Sequence, residues 1–352
     1  MTIWRGLRRN RPAIAALGLL SVVAAVAVFA PLLAPHDENL ATRFQDVFRG
    51  PSRDYLLGTD HVGRDILSRV LFGARYALLA GVEAVAIALA VGVPLGMLIG
   101  YRRGWLDAVV MRLVETLSSV PAIVMAMAII AALGPGLSTA MVAVGLVFAM
   151  IVTRLTRAEV LAAREELYVD GAVAVGAPHI RVMWRHILPN IAPTLIVQAT
   201  LLFAQAILAE AALSFIGIGA GTGQASWGRM LRDAQIGLDR TIWPAIPPGC
   251  ALFVTIAACN VVGDGLRDAF ARGGRVGRLG GSRVARIGDP GPAAGADDDA
   301  LLSVRGLNVR FPGREGDVAV VSGIDLDVGP GEVVALVGES GSGKSVTALS
   351  IL

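Results

Sequence analysis

The stretch from Thr116 to Thr153, TLSSVPAIVMAMAIIAALGPGLSTAMVAVGLVFAMIVT, holds 38 residues without one ionisable side chain. A bilayer's hydrocarbon core takes about 20 apolar residues of helix. The run is therefore too long for one crossing, and Gly134-Pro135-Gly136 interrupts its middle. It reads as two membrane helices joined by a tight turn. Further charge-free or nearly charge-free runs lie on either side: Pro12–Pro35, Tyr76–Gly100 with only Glu83 inside it, Ile187–Ala209 and Thr241–Gly263. A cleaved leader is the alternative for the first run, but its apolar region would be about 7–15 residues. The run from Pro12 is longer, so the sum is six spans.

Composition agrees. The 352 residues are 55% hydrophobic and 17% charged, with mean hydropathy +0.65, and the 42 glycines bring the apolar share to about 67%, against roughly 45–50% apolar and about 25% charged in soluble domains. That excludes an ordinary soluble enzyme. The apolar residues fall in blocks and the glycines have no period of three, which excludes disordered and collagen-like chains. Cys250 and Cys259, nine positions apart in one apolar run, fall on opposite helix faces, so neither a disulfide framework nor a metal site is indicated.

The net charge of +3 conceals an asymmetry. Arg5, Arg8, Arg9 and Arg11 precede the first span. Arg102, Arg103 and Arg112 lie in 101–115; Arg154, Arg157, Arg164, Arg181 and Arg185 lie in 154–186; Arg267, Arg272, Arg275 and Arg278 follow the last. The positive-inside rule places all four regions, and both termini, in the cytoplasm. Within the spans, Gly92, Gly96 and Gly100 share one helix face and suit close packing against a neighbour more than a direct transport role. Glu83 and Glu210 are candidate intramembrane polar sites; pairing with an arginine or a hydrogen bond across helices is the alternative. Pro244, Pro247 and Pro248 kink or delay the sixth span.

Residues 154–190 have the pattern helix, break, helix: helix formers over Arg157–Val175, a break at Gly176-Ala177-Pro178, then His179–Leu188 before Pro189. Such a helix suits docking into a partner's groove or lying on the lipid surface. The block Tyr168–Gly176, with Ile187-Leu188-Pro189 after it, resembles the EAA loop of binding-protein-dependent ABC importer permeases, Asp170-Gly171-Ala172 standing for Glu-Ala-Ala. Leu57–Arg69, Glu210–Gly219, Ser226–Leu231 and Gly263–Asp268 resemble blocks of the C-type subunit of dipeptide, oligopeptide and nickel permeases. The resemblance implies an all-α, six-span type I importer permease over 13–270, in a bacterial inner membrane. Asp170, Gly171, Ala172, Gly176, Leu188 and Pro189 would couple it to a cytoplasmic ATPase. Its further partners would be a second permease subunit, forming a heterodimer, and an extracytoplasmic binding protein, with lipid around it and no nucleic acid. The cargo would be di- or oligopeptides, or alternatively nickel or another small solute.

After a glycine-rich linker, 271–300, the grammar changes to strands over 302–311 and 318–328 and a short buried strand over 332–337, leading into Gly338-Glu339-Ser340-Gly341-Ser342-Gly343-Lys344-Ser345 and a helix. This is GxxxxGKS between strand and helix, a P-loop. Of 31 basic residues 30 are arginine; the one lysine is Lys344. Gly338, Ser340, Gly341, Ser342, Gly343, Lys344 and Ser345 would cradle ATP, Lys344 reaching the β/γ-phosphates and Ser345 holding Mg²⁺. The loop also resembles the Walker A of peptide-importer ATPases, by which Phe311 is a candidate to stack on adenine. Residues 301–352 would thus be the start of an α/β ATPase domain, ending at Leu352 before the other motifs hydrolysis requires; this segment is not expected to catalyse alone. A fragment of a permease–ATPase fusion or a truncated product are both expectations. A membrane-tethered P-loop NTPase and an ABC exporter half are the competing classes, which the ordered permease blocks and the EAA-type loop disfavour.

Overall fold

The computed structural model describes residues 10–37, 46–221, 223–279, 300–311, 318–338 and 342–351. They form two units, Met1–Val276 and Gly277–Leu352. The first is helical: α1 (Arg11–Leu33), α2 (Ile66–Arg102), α3 (Trp105–Ser118), α4 (Ala122–Leu133), α5 (Leu137–Arg164), the short α6 (Leu167–Ala174), α7 (His179–Ile216), the short α8 (Trp227–Ala234) and α9 (Ile246–Leu279). Five helices are long and apolar enough to cross a bilayer, and the bent pair α3/α4 makes a sixth when counted as one span.

Five of the six expected spans are single long helices, and the third is met only by the bent pair α3/α4. The Gly134-Pro135-Gly136 turn separates α4 from α5 as the sequence indicates. Upstream, however, the uncharged run is cut again at Ser119–Pro121, where α3 and α4 meet at 95°. Pro121 pushes Val120 out of the helical region, and the Ser119 hydroxyl closes α3 by donating to the Thr116 carbonyl at 2.7 Å. Charge-counting sees no such break, because neither residue is charged. What is left, α4, has 12 residues, ~18 Å of helix.

The packing centre is the contact of α2 with α5. Gly92, Gly96 and Gly100 line it. A Cβ on Gly96 would lie 2.6 Å from the Thr156 Cβ and 2.7 Å from the Thr153 carbonyl oxygen. Close approach of two helix backbones is thus why the row is glycine. Ala84, Ala88, Ala140, Met141, Val144 and Val152 fill the core around it.

Several boundaries differ from the sequence reading. Arg154, Arg157 and Arg164 do not lie in a loop, since α5 carries them and ends only at Arg164. The helix expected over 157–175 breaks at Glu165-Glu166, both exposed. Core contact stops at Ala163 and resumes with Val169 on α6. Likewise the helix from His179 does not stop before Pro189; it continues through Pro189 and Pro193 to Ile216. Each proline withdraws an N–H from the ladder, and a wider π turn over Val182–Ile187 precedes them, accommodating the missing bond. Pro244, Pro247 and Pro248 occupy a 3₁₀ turn (Trp243–Ala245) and the first turn of α9, where no N–H is required. They start the span rather than kink it. The last helix runs to Leu279, past the expected start of the linker at 271; residues 280–299 of that linker lie outside the described residues.

In the second unit β1 (Leu302–Phe311) and β2 (Val318–Val328) pair antiparallel from Leu302↔Val328 to Phe311↔Val318, and α10 (Lys344–Ile351) follows. The strand expected over 332–337 is absent, and Val333 and Val337 are 94% and 91% exposed. A buried strand takes its hydrogen bonds from non-local partners, and β1 and β2 pair with each other alone among the described residues.

Candidate functional site

Of the expected coupling residues, Asp170, Gly171 and Ala172 lie on α6 and Gly176 ends it, whereas Leu188 and Pro189 stand at the base of α7. The two groups do different work. α6 is anchored by Val169, 2% exposed, in a cluster with Met97, Tyr101, Val160, Val182 and Ile187. Gly176 turns the chain with φ +82°, a conformation that costs a non-glycine residue about 1–2 kcal/mol. Tyr101 organises the shelf beneath: its hydroxyl meets His179 Nδ1 at 2.9 Å, its carbonyl accepts from Arg164 at 2.7 Å, and the Arg164 guanidinium covers its ring. The Tyr168 hydroxyl accepts from Asn190 at 2.9 Å, tying α6 to α7. Above this shelf Leu167, Val173 and Val175 are 86%, 44% and 90% exposed. Nothing lies within 4 Å of where a Cβ on Gly171 or Gly176 would be. An apolar, small-residue face is thus held out on a rigid base.

At the opposite end of the helices three sequence blocks converge. Glu210, 1% exposed, accepts from the Ser214 hydroxyl and from the Ser226 hydroxyl, each at 2.7 Å. Ser226 in turn caps α8. Gly228 lets α8 touch α7, since a Cβ there would sit 2.1 Å from the Ala211 carbonyl oxygen. Trp227 donates to the Val70 carbonyl of α2 at 3.0 Å. Glu83 accepts from the Ser138 hydroxyl at the start of α5. Neither glutamate pairs with an arginine among the described residues, so hydroxyl hydrogen bonds satisfy both.

Beside this cap lies a network that sequence reasoning missed. Arg69, 2% exposed, meets Asp60 at 2.5 Å and Asp233 at 3.4 Å. Arg64 meets the same two carboxylates at 2.8 and 3.0 Å. Burial works against charge on Asp60, but Arg69, Arg64 and the Arg64 and Val62 amides outweigh it and hold its carboxyl below the usual range. Asp60, His61 and Asp233 present ligand atoms within 4.8 Å of one another. Both carboxylates already accept from guanidiniums, so this is an ion-pair network rather than a cation site. Asp60, Arg64 and Arg69 stand within a block quoted above for its resemblance; Asp233, 164 positions from Arg69, had no local signal.

Of the residues expected to form a P-loop, Gly338, Ser342, Gly343 and Lys344 lie close together. Gly343 adopts φ +91°, and the Lys344 ammonium turns back to donate to the Gly338 carbonyl at 2.6 Å and the Ser342 hydroxyl at 3.4 Å. Ser340 and Gly341 lie outside the described residues, as do the side chains of Ser345 and Phe311.

Comparison with known proteins gives the family. Residues 92–276 match the family described as binding-protein-dependent transport system inner membrane component, and residues 2–51 match the N-terminal transmembrane domain of oligopeptide transport permease C. The chain is 39% identical over 270 residues to the dipeptide transport system permease protein DppC of Alkalihalophilus pseudofirmus, covering 76% of this chain and 88% of that one. It is 38% identical over 274 residues to the di/tripeptide permease DppC of Pseudomonas aeruginosa (76% and 90%). Against the glutathione transport system permease protein GsiD of Pectobacterium atrosepticum it is 36% identical over 269 residues (76% and 89%). With its ordered blocks, its spans and this degree of identity, the chain belongs to the inner membrane components of binding-protein-dependent transport systems.

Proposed function

We propose that the chain is the C-type permease subunit of an ABC importer for short peptides, with a type I importer fold. It would form its translocation path with a second permease and receive cargo from an extracytoplasmic binding protein. The observation that carries this reading is α6, whose exposed apolar face stands on a rigid shelf directly continuous with two spans. A partner ATPase gripping that face would move α5 and α7 together, which is what biasing a bistable packing requires. The arginines near α6 and at the end of α9 favour a cytoplasmic location for this side and for both termini. The peptide cargo rests on what the relatives are named for.

Residues 301–352 are read as the opening of an ATP-binding domain fused to the permease. The inward-turned Lys344 and the glycines around it fit a phosphate cradle, and Ser345 would hold Mg²⁺ there. ATP would supply the energy of the cycle through complete ATPase domains. An in-frame coding sequence with an acidic Walker B motif beyond Leu352 would support the fusion, and a stop codon there would end it.

The transport reading is tested by dipeptide uptake in vesicles holding the complete system. Gly176→Asp, or removal of 168–178, is expected to abolish ATP-dependent uptake while the protein still inserts. Normal uptake by the deletion would overturn the docking role, and no peptide uptake by the intact system would overturn the cargo.

A further inference from the structure

An apolar groove runs between α2 and α7 on the side that bears α6. It has a volume of about 390 Å³, and Leu89, Val93 and Pro94 on one wall face Trp184, Leu188 and Ala192 on the other. A second cavity of about 450 Å³ continues it toward α1 and α9, sharing Leu89, Ile196 and Ala199. The one hydroxyl in either wall, that of Thr200, is turned away to donate to the Val197 carbonyl at 2.7 Å. From Trp184 to Ala199 the groove follows α7 for roughly 20 Å, more than half of the ~30 Å hydrocarbon thickness.

The end near α6 is built differently. Trp184 is 50% exposed there, the placement of an interfacial aromatic. Arg181 and Arg185 flank it in sequence, both exposed. Neither guanidinium has a hydrogen-bond or ion-pair partner among the described residues. An open hydrocarbon groove one leaflet deep, with an indole in its wall and two exposed arginines in the same turn of α7, suits a lipid with an anionic headgroup.

We infer that this groove binds an anionic phospholipid, an acyl chain lying between α2 and α7 and the headgroup phosphate held by Arg181 and Arg185. The two arginines supply selectivity for anionic headgroups, and the apolar walls supply retention. Leu188 lines the groove and also packs in the cluster that seats α6, so the lipid would brace the base of the coupling element. Nothing in this depends on which solute is carried.

The test is native mass spectrometry of the full chain with its partner subunits, after exposure to vesicles of equal phosphatidylglycerol and phosphatidylcholine. Phosphatidylglycerol is expected to be retained over phosphatidylcholine by roughly tenfold. Arg181→Ala with Arg185→Ala should erase that preference without unfolding the protein, both side chains being exposed. Ala192→Trp should reduce retention of either lipid by filling the channel. Equal retention by the wild type, an unchanged preference in the arginine variant, or photocrosslinking of the partner permease by a benzophenone–maleimide attached at Ala192→Cys would each overturn the inference.

Discussion

Arg69→Met tests the cap network most directly. The Arg69 side chain is 2% exposed and lies between Asp60 and Asp233, at 2.5 and 3.4 Å. Removing one member of a buried ionic group costs about 3–5 kcal/mol, because the charges left behind lose their compensation. Here Arg64 still reaches both carboxylates, at 2.8 and 3.0 Å, and is itself 14% exposed. The loss should therefore fall near the lower bound, about 3 kcal/mol, close to a hundredfold in the folded population. The assay is reversible unfolding in mixed micelles, run as a double-mutant cycle with Asp233→Leu, which should show a coupling of about 1–3 kcal/mol. A pH arm separates charge from packing. Asp60 has a depressed folded pKa, so its contribution is present above the ordinary carboxylate value near ~3.9 and fades as pH falls through the lower folded value. Without Arg69 that depression shrinks, so the acid-induced loss should start at the same pH, be smaller and be complete at a higher pH than in the wild type. A cost under about 1 kcal/mol, or a cycle additive within ~0.5 kcal/mol, would refute the reasoning.

Gly96→Val should cost about 1–3 kcal/mol in thermal unfolding, since the nearest obstacles include the Thr153 backbone carbonyl at 2.7 Å, whereas Gly18→Val, with nothing within 4 Å, should be close to neutral; equal effects would sink the close-approach account. Glu210→Gln retains an acceptor for Ser214 and Ser226 and should change stability little, while Glu210→Ala strands two buried hydroxyls at about 1–3 kcal/mol each. Proteolysis of α8 should accelerate in the alanine variant only, and indistinguishable variants would mean that the hydrogen bonds do not hold the cap.

Much of the membrane architecture was legible because it follows from a local rule: a helix satisfies its own backbone, so an uncharged run of sufficient length suffices to place a span. The Gly92, Gly96 and Gly100 row was legible for the same reason, three small residues on one helical face. What that rule misses is local but uncharged, such as the Ser119–Pro121 bend, or charged but buried, such as Arg69, which lies on α2 before the hydrophobic run that marked the span. The expected coupling residues were grouped by motif, yet Leu188 and Pro189 belong to the base of α7 while Asp170–Ala172 lie on the exposed α6, a division made by the break at Gly176–Pro178.

By itself the sequence determined the class of protein, the number of apolar segments and the face along which two helices meet, because hydrophobic length and helical periodicity are properties of neighbouring residues. Only the tertiary structure decided that Glu210 is held by serines, that Arg64 and Arg69 bridge Asp60 and Asp233, and that 332–337 pairs with no strand among the described residues. Those outcomes depend on partners as far as 164 positions away, and no local pattern encodes which distant group will satisfy a buried charge or an unpaired strand.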